Sequence, residues 1–186
     1  MADFRHETAR LVLRDWREED WAAFWQGTNT PAVMRWLGGV LDDDARTATE
    51  ARVASCAQAH GHCFWVVERR EDGEILGFCG LKRADAPGSS VMGAMEVGWR
   101  FREDAWGKGY AKEAAIAALS LGFDRFGAES IVALTVDGNA ASWGLMLRLG
   151  MTRRAELDYA DPRYGEDLNP TIVYTIERGG WHGGDA

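Results

Sequence analysis

The sequence predicts a single mixed α/β domain in which strands and helices share one core. Three observations carry this. The chain has 186 residues, the size of one ordinary domain. Short apolar runs of strand character alternate with longer stretches of helical period. No internal repeat or linker divides the chain. A chain of this length buries roughly two-thirds of its unfolded surface, so its core needs neither disulfide nor metal.

Arg10-Leu-Val-Leu-Arg14 is apolar between charges and reads as a strand. Arg17–Gln26 places Trp21, Phe24 and Trp25 on one helical stripe, with acidic residues in the first turn and Gly27 as a stop. Thr30 as cap and Pro31 at the first position open a short helix, Ala32–Leu37, which Gly38-Gly39 ends. A third helix is expected over Asp43–Ala59, with the run Asp42-Asp43-Asp44 at its start.

The period then becomes strand-like. Cys63–Arg69 and Glu74–Arg83 flank the hairpin signal Asp72-Gly73, with Glu68 and Glu74 expected as surface charges. Met92–Arg102 reads as a strand containing Gly93 and Gly98, after a polar loop. Trp106–Ala111 is a glycine-containing turn that leads into the helix Lys112–Phe126. Ser130–Asp137 is a strand, Ala140–Leu149 a helix stopped by Gly150, and Thr152–Tyr159 and Thr171–Glu177 two closing strands. The expected organisation is one domain over residues 1–178 and a glycine-rich tail over 179–186, with Trp181 the exception in that tail.

The formal net charge of −8 argues against nucleic acid as a partner, because phosphate contacts need a basic surface. No apolar run approaches the ~18 residues of a membrane span, and the charged start Met1–Glu7 is unlike a signal peptide. A cytoplasmic location is the expectation. Cys56, Cys63 and Cys79 lack ligand-like spacing, and Cys63 and Cys79 read as core residues. His6, His60, His62 and His182 form no zinc pattern, so no metal is expected.

Gly107-x-Gly109 is the segment with chemistry in it. A turn between strand and helix uses the same residues, yet its setting suits a phosphate. Backbone N–H groups at a helix start lack intrahelical partners, and glycines let an anion approach the backbone. A P-loop fails because Lys108 is followed by Gly109 rather than by a hydroxyl residue. A dinucleotide fingerprint fails because Lys112 stands where its third small residue belongs.

Trp106-x-x-Gly109-x-Ala111 resembles the acetyl-CoA loop of the GNAT superfamily. The context Glu96-Val-Gly-Trp-x-Phe…Ala105-Trp-Gly-Lys-Gly-Tyr-Ala is similar to its RimJ/RimL-like branch. Arg10–Arg14, Asp20, Ile75–Leu81, Asn139-x-x-Ser142 and Arg148–Met151 extend the likeness over nearly the whole chain. The resemblance implies the GNAT fold: a central, mostly antiparallel sheet, splayed into a V between its fourth and fifth strands and flanked by helices. It implies acetyl-CoA as co-substrate and direct transfer to a primary amine, with a peptide or protein α-amine favoured over a small-molecule amine. A silent CoA-binding module is the reading outside enzymes, and homodimerisation stays open.

The resemblance also implies a site. Trp106, Gly107, Lys108, Gly109, Tyr110 and Ala111 would bind CoA phosphates. A bulge in the preceding strand would expose the backbone of Trp99, Arg100 and Phe101 to the thioester oxygen. Glu96 matches a general base, its alternative being a plain strand carboxylate. Met146 occupies the position of the usual acid, a tyrosine, and cannot donate a proton, so Ser142 is the alternative donor to the thiolate. Asn139 would contact the pantetheine arm, and both Asn139 and Ser142 also suit helix capping. On the acceptor side, Trp21, Trp25, Met34, Trp36 and Tyr164 come from segments that wall the cleft, with Trp36 singled out. Acidic residues over Asp158–Asp161 or at Glu166-Asp167 would attract a cationic acceptor, or simply be solvated.

Overall fold

The computed structural model describes residues 4–183. Eight strands form one sheet in the order β1-β2-β3-β4-β5-β6-β8-β7. The strands are β1 (Arg5–Glu7), β2 (Leu11–Arg14), β3 (Phe64–Arg69), β4 (Ile75–Arg83), β5 (Met95–Phe101), β6 (Ser130–Val136), β7 (Thr152–Arg153) and β8 (Thr171–Glu177). All neighbours pair antiparallel except β5 and β6, which run parallel and share the single pair Glu96↔Val132. Beyond that pair the sheet opens. This is the expected V, and it lies between the fourth and fifth strands of the sequence reading.

The helices are α1 (Asp20–Thr28), α2 (Pro31–Met34), α3 (Asp43–His60), α4 (Tyr110–Ser120) and α5 (Ala140–Arg148). Ala114, Ala115 and Ala118 on α4 are fully buried. Their small side chains let the helix lie close on the sheet, which sets its N-terminus beside the end of β5. The main core holds these alanines with Leu11, Leu81, Val97, Phe101 and Ile131. On the opposite face Phe24 and Trp25 of α1 pack on Val66, Ile75 and Phe78.

Several boundaries differ from the sequence reading, each for a local reason. Strand β1 is short and charged, so no apolar pattern announces it; it forms by pairing Arg5 through Glu7 with Arg14 through Val12. Helix α1 starts at Asp20 rather than Arg17 and continues through Gly27 to Thr28. Helix α2 keeps the predicted cap, with Thr30 Oγ1 accepting from the Val33 N–H, but ends at Met34. Strand β5 begins only at Met95, because Gly93 at φ +79° belongs to a turn. A π-helical turn, Leu121–Arg125, continues α4. Strand β7 stops at Arg153, and only the isolated bridge Tyr159↔Thr171 continues the expected strand. Trp181 packs against the main core, as the sequence allowed, while Met1–Asp3 and residues 184–186 lie outside the described residues.

Glu68 is not the surface charge expected from the sequence. Arg14 donates from Nε to Glu68 at 2.8 Å and from Nη1 and Nη2 to the two Asp20 oxygens at 2.7 and 2.8 Å. Asp20 also accepts from the Arg17 N–H at 2.7 Å. Burial alone would raise the Asp20 pKa, but these hydrogen bonds hold it below the usual range. The network fastens α1 to β2. Cys63 and Cys79 are buried, as expected.

Candidate active site

The glycine loop lies where β5 feeds α4. Trp106, Gly107, Lys108 and Gly109 are exposed, while Tyr110 and Ala111 are half-buried. Gly107 and Gly109 have φ of +71° and +79°, a region that favours glycine. Gly109 caps α4 without a side-chain hydrogen bond, and the first N–H taken up at this end is that of Glu113, by the Gly109 carbonyl at 3.1 Å. The N–H groups of Gly107 through Lys112 have no acceptor among the described residues. Such a set, at a helix start and open to solvent, can bind phosphate oxygens.

Arg10 holds this loop, a role not read from the sequence. It donates to the Lys108 carbonyl at 2.9 Å and to Glu113 Oε2 at 2.7 Å, and its guanidinium lies 4.6 Å from the Tyr110 ring centre. Trp106 folds back, donating from Nε1 to the Phe101 carbonyl at 2.9 Å.

Strand β5 forms one wall of the V. Its ladder with β4 keeps one register over all seven pairs from Gly77↔Phe101 to Arg83↔Met95, so the expected bulge is absent from that ladder. Gly98 serves packing instead of a kink: a Cβ there would lie 2.9 Å from the Phe64 ring. The Arg102 N–H donates to the Leu76 carbonyl. The two-residue alternation of an antiparallel ladder then turns the N–H groups of Trp99 and Phe101 away from β4, toward the gap. The Arg100 N–H faces β4. Of the three backbone positions singled out by resemblance, two therefore point into the opening.

Glu96 sits at the throat, in the last pair before the strands part, and is buried. Its Oε2 is 3.2 Å from Lys82 Nζ but accepts no hydrogen bond. Burial raises the Glu96 pKa; the Lys82 charge acts in the opposite direction without cancelling that effect. Lys82 also pairs with Asp85 at 2.5 Å. A buried carboxylate short of hydrogen bonds can take a proton from a nearby amine or water.

Across the gap, Asn139 caps α5, its Oδ1 accepting from the Ser142 N–H at 3.4 Å. The Ser142 hydroxyl is half-buried and has no hydrogen-bond partner among the described residues. Met146 is 1% exposed and belongs to the core, so that position takes no part in proton transfer. Trp36 lies over the β6–α5 turn, where a Cβ at Gly138 would be 2.6 Å from its ring. Tyr164 covers Gly38 in the same way at 2.9 Å. Trp25 and Met34 are core residues, and Trp21 stacks on Trp16 at 3.7 Å. Asp158 and Asp161 are engaged by Arg153 and Arg163, which leaves Glu166 and Asp167 as the exposed acids of that loop.

Comparison with known proteins agrees with this architecture. The family described as the acetyltransferase (GNAT) domain matches residues 10–152. The chain belongs to the GNAT acetyltransferases. It is 32% identical over 145 residues to the Bacillus subtilis protein YkkB, covering 77% of this chain and 83% of that one. It is 28% identical to the Bacillus subtilis N-acetyltransferase YnaD, covering 94% and 98% of the two chains. An acetyltransferase structure from Agrobacterium tumefaciens superposes with a TM-score of 0.80 at 24% identity, over 95% of this chain and 96% of that one. GNAT acetyltransferases use acetyl-CoA as their co-substrate. Among the described residues no helix is long and apolar enough to cross a membrane.

Proposed function

We propose that this GNAT domain transfers an acetyl group directly from acetyl-CoA to a primary amine, with Glu96 as the proton acceptor. The observation that carries this reading is the placement of Glu96: a buried carboxyl in the last pair before the strands part, on the strand that feeds an exposed loop whose N–H groups have no acceptor among the described residues.

Each group then has one task. The N–H groups of residues 107–112 hold the phosphates. The N–H groups of Trp99 and Phe101 lie where charge grows on the thioester oxygen as the amine attacks. Glu96 accepts the amine's proton, directly or through one water. Ser142 donates a hydrogen bond to the departing thiolate, which takes its proton from water. Asn139 fixes the turn that presents Ser142, and Trp36 closes the cleft over it.

The resemblance favours a peptide or protein α-amine as acceptor. A small-molecule amine is the second reading, and the half-buried Arg100 side chain described below favours it. The test is thiol release from acetyl-CoA with a panel of peptides and small amines, read together with the mass of the acetylated product. Acetyl-CoA binding without turnover of any amine would instead identify a silent module.

A further inference from the structure

The Arg100 side chain on β5 has no task in the transfer described above. It lies on β5 two positions beyond Gly98 and four beyond Glu96, so all three side-chain positions share a face of the strand. Its guanidinium lies 5.3 Å from the Phe78 ring centre and 5.9 Å from that of Phe24. Nε and Nη1 are buried without a hydrogen-bond partner. Nη2 also has no partner among the described residues and is not fully enclosed. Among the described residues no carboxylate is paired with Arg100; its charged neighbour there is Arg52, which repels it. Burial first, and Arg52 second, lower its pKa to about 10, so the group stays charged at neutral pH.

A buried charge without a partner costs several kcal/mol, and a domain of marginal stability carries such a cost where a ligand relieves it. Every two-point grip on a guanidinium, through Nη1 and Nη2 or through Nε and Nη2, includes Nη2, here the accessible nitrogen. Arg100 is also near the open end of the V. Residue 100 lies as far beyond the Glu96↔Val132 pair as Val136 does, next to the Gly138 turn that Trp36 covers. Tyr164, whose ring covers Gly38, is close enough to raise the Arg100 pKa.

We infer that Arg100 is an anion subsite of the acceptor cleft, and that the acceptor is a primary amine that also carries a carboxylate. Its amine end would reach Glu96 while the carboxylate engages the guanidinium over the Phe24–Phe78 floor. This rests on the acetyltransferase reading and narrows it to one substrate class.

The experiment compares primary amines supplied as pairs, each as free carboxylate and as the matching carboxamide, with the full-length chain and Arg100→Met. The wild-type chain should prefer the carboxylate by about 10- to 100-fold in kcat/KM, the span of a charge-assisted hydrogen bond. In Arg100→Met that preference should vanish, with the loss in acceptor KM rather than in acetyl-CoA affinity. Its melting temperature should hold or rise, because a half-buried charge with two buried, unpartnered nitrogens has gone. Equal losses for both members of each pair, a loss in acetyl-CoA affinity, or a lower melting temperature would overturn the inference. If no amine is turned over, the transfer reading fails instead. Calorimetric binding of the same pairs to the CoA complex then decides the subsite: carboxylate-selective binding lost in Arg100→Met supports it, and unselective or absent binding overturns it.

Discussion

Glu96 Oε2 stands 3.2 Å from Lys82 Nζ yet accepts no hydrogen bond, so the carboxylate at the throat of the V is neutralised in charge but not satisfied in geometry. Its raised pKa follows from burial, and the proposed role of Glu96 as proton acceptor depends on it. A proton acceptor works only in its ionised form, so kcat/KM should rise with pH through an apparent pKa above the ordinary glutamate range. In Glu96→Gln this limb should disappear and the rate fall about 100-fold or more. A wild-type profile in the variant would remove Glu96 from the mechanism.

The same shift has a stability consequence of defined sign. A carboxyl whose folded pKa is raised favours the folded state fully below its unfolded pKa, and that contribution is lost as pH rises through the folded value. Glu96→Gln should therefore gain stability relative to the wild type at neutral and higher pH. Thermal melts across pH check this, and parallel curves for the two proteins would contradict it.

Arg14 and Asp20 give the opposite sign. Asp20 is held below its usual pKa, so its contribution is present above the unfolded value and lost as pH falls through the folded one. Removing one member leaves the other buried without its partner. Arg14→Met should cost about 3 kcal/mol, or roughly 10 °C in melting temperature. A change within 2 °C, on the order of ordinary surface substitutions, would show that the network adds little.

Gly109 links loop conformation to binding. Its φ is +79°, and a Cβ would approach Arg10 Nη2 at 3.3 Å, so a branched residue would strain the backbone and disturb the contact that holds Lys108. Gly109→Val should weaken CoA binding about tenfold or more by calorimetry. Unchanged affinity would sink the assignment of the loop.

Much of this was legible in the sequence, and the parts that were not share a cause. Thr30-Pro31, Asp42, Asp72-Gly73 and Gly150 announce turns and caps through local chemistry, and the structure uses them as read. Strand β1 and the shortening of β7 depend on pairing with distant segments, which no local pattern encodes. The V was implied only by family resemblance, because a gap between β5 and β6 leaves no periodic trace. In the site, Glu96 and the glycine loop stood in recognisable motifs. The contact of Arg10 with the loop and the surroundings of the Arg100 side chain did not, since both depend on what lies across from them in space. The alternation along β5 was the available signal for Arg100, as it puts that residue on the face of Glu96.

The most direct test of the central claim is single-turnover transfer from acetyl-CoA labelled on the acetyl group, quenched and followed by mass. Direct transfer to an amine predicts label on the amine in step with free thiol, and none on the protein at any time. Label that appears first on the chain, or thiol released without acetylated amine, would contradict the account.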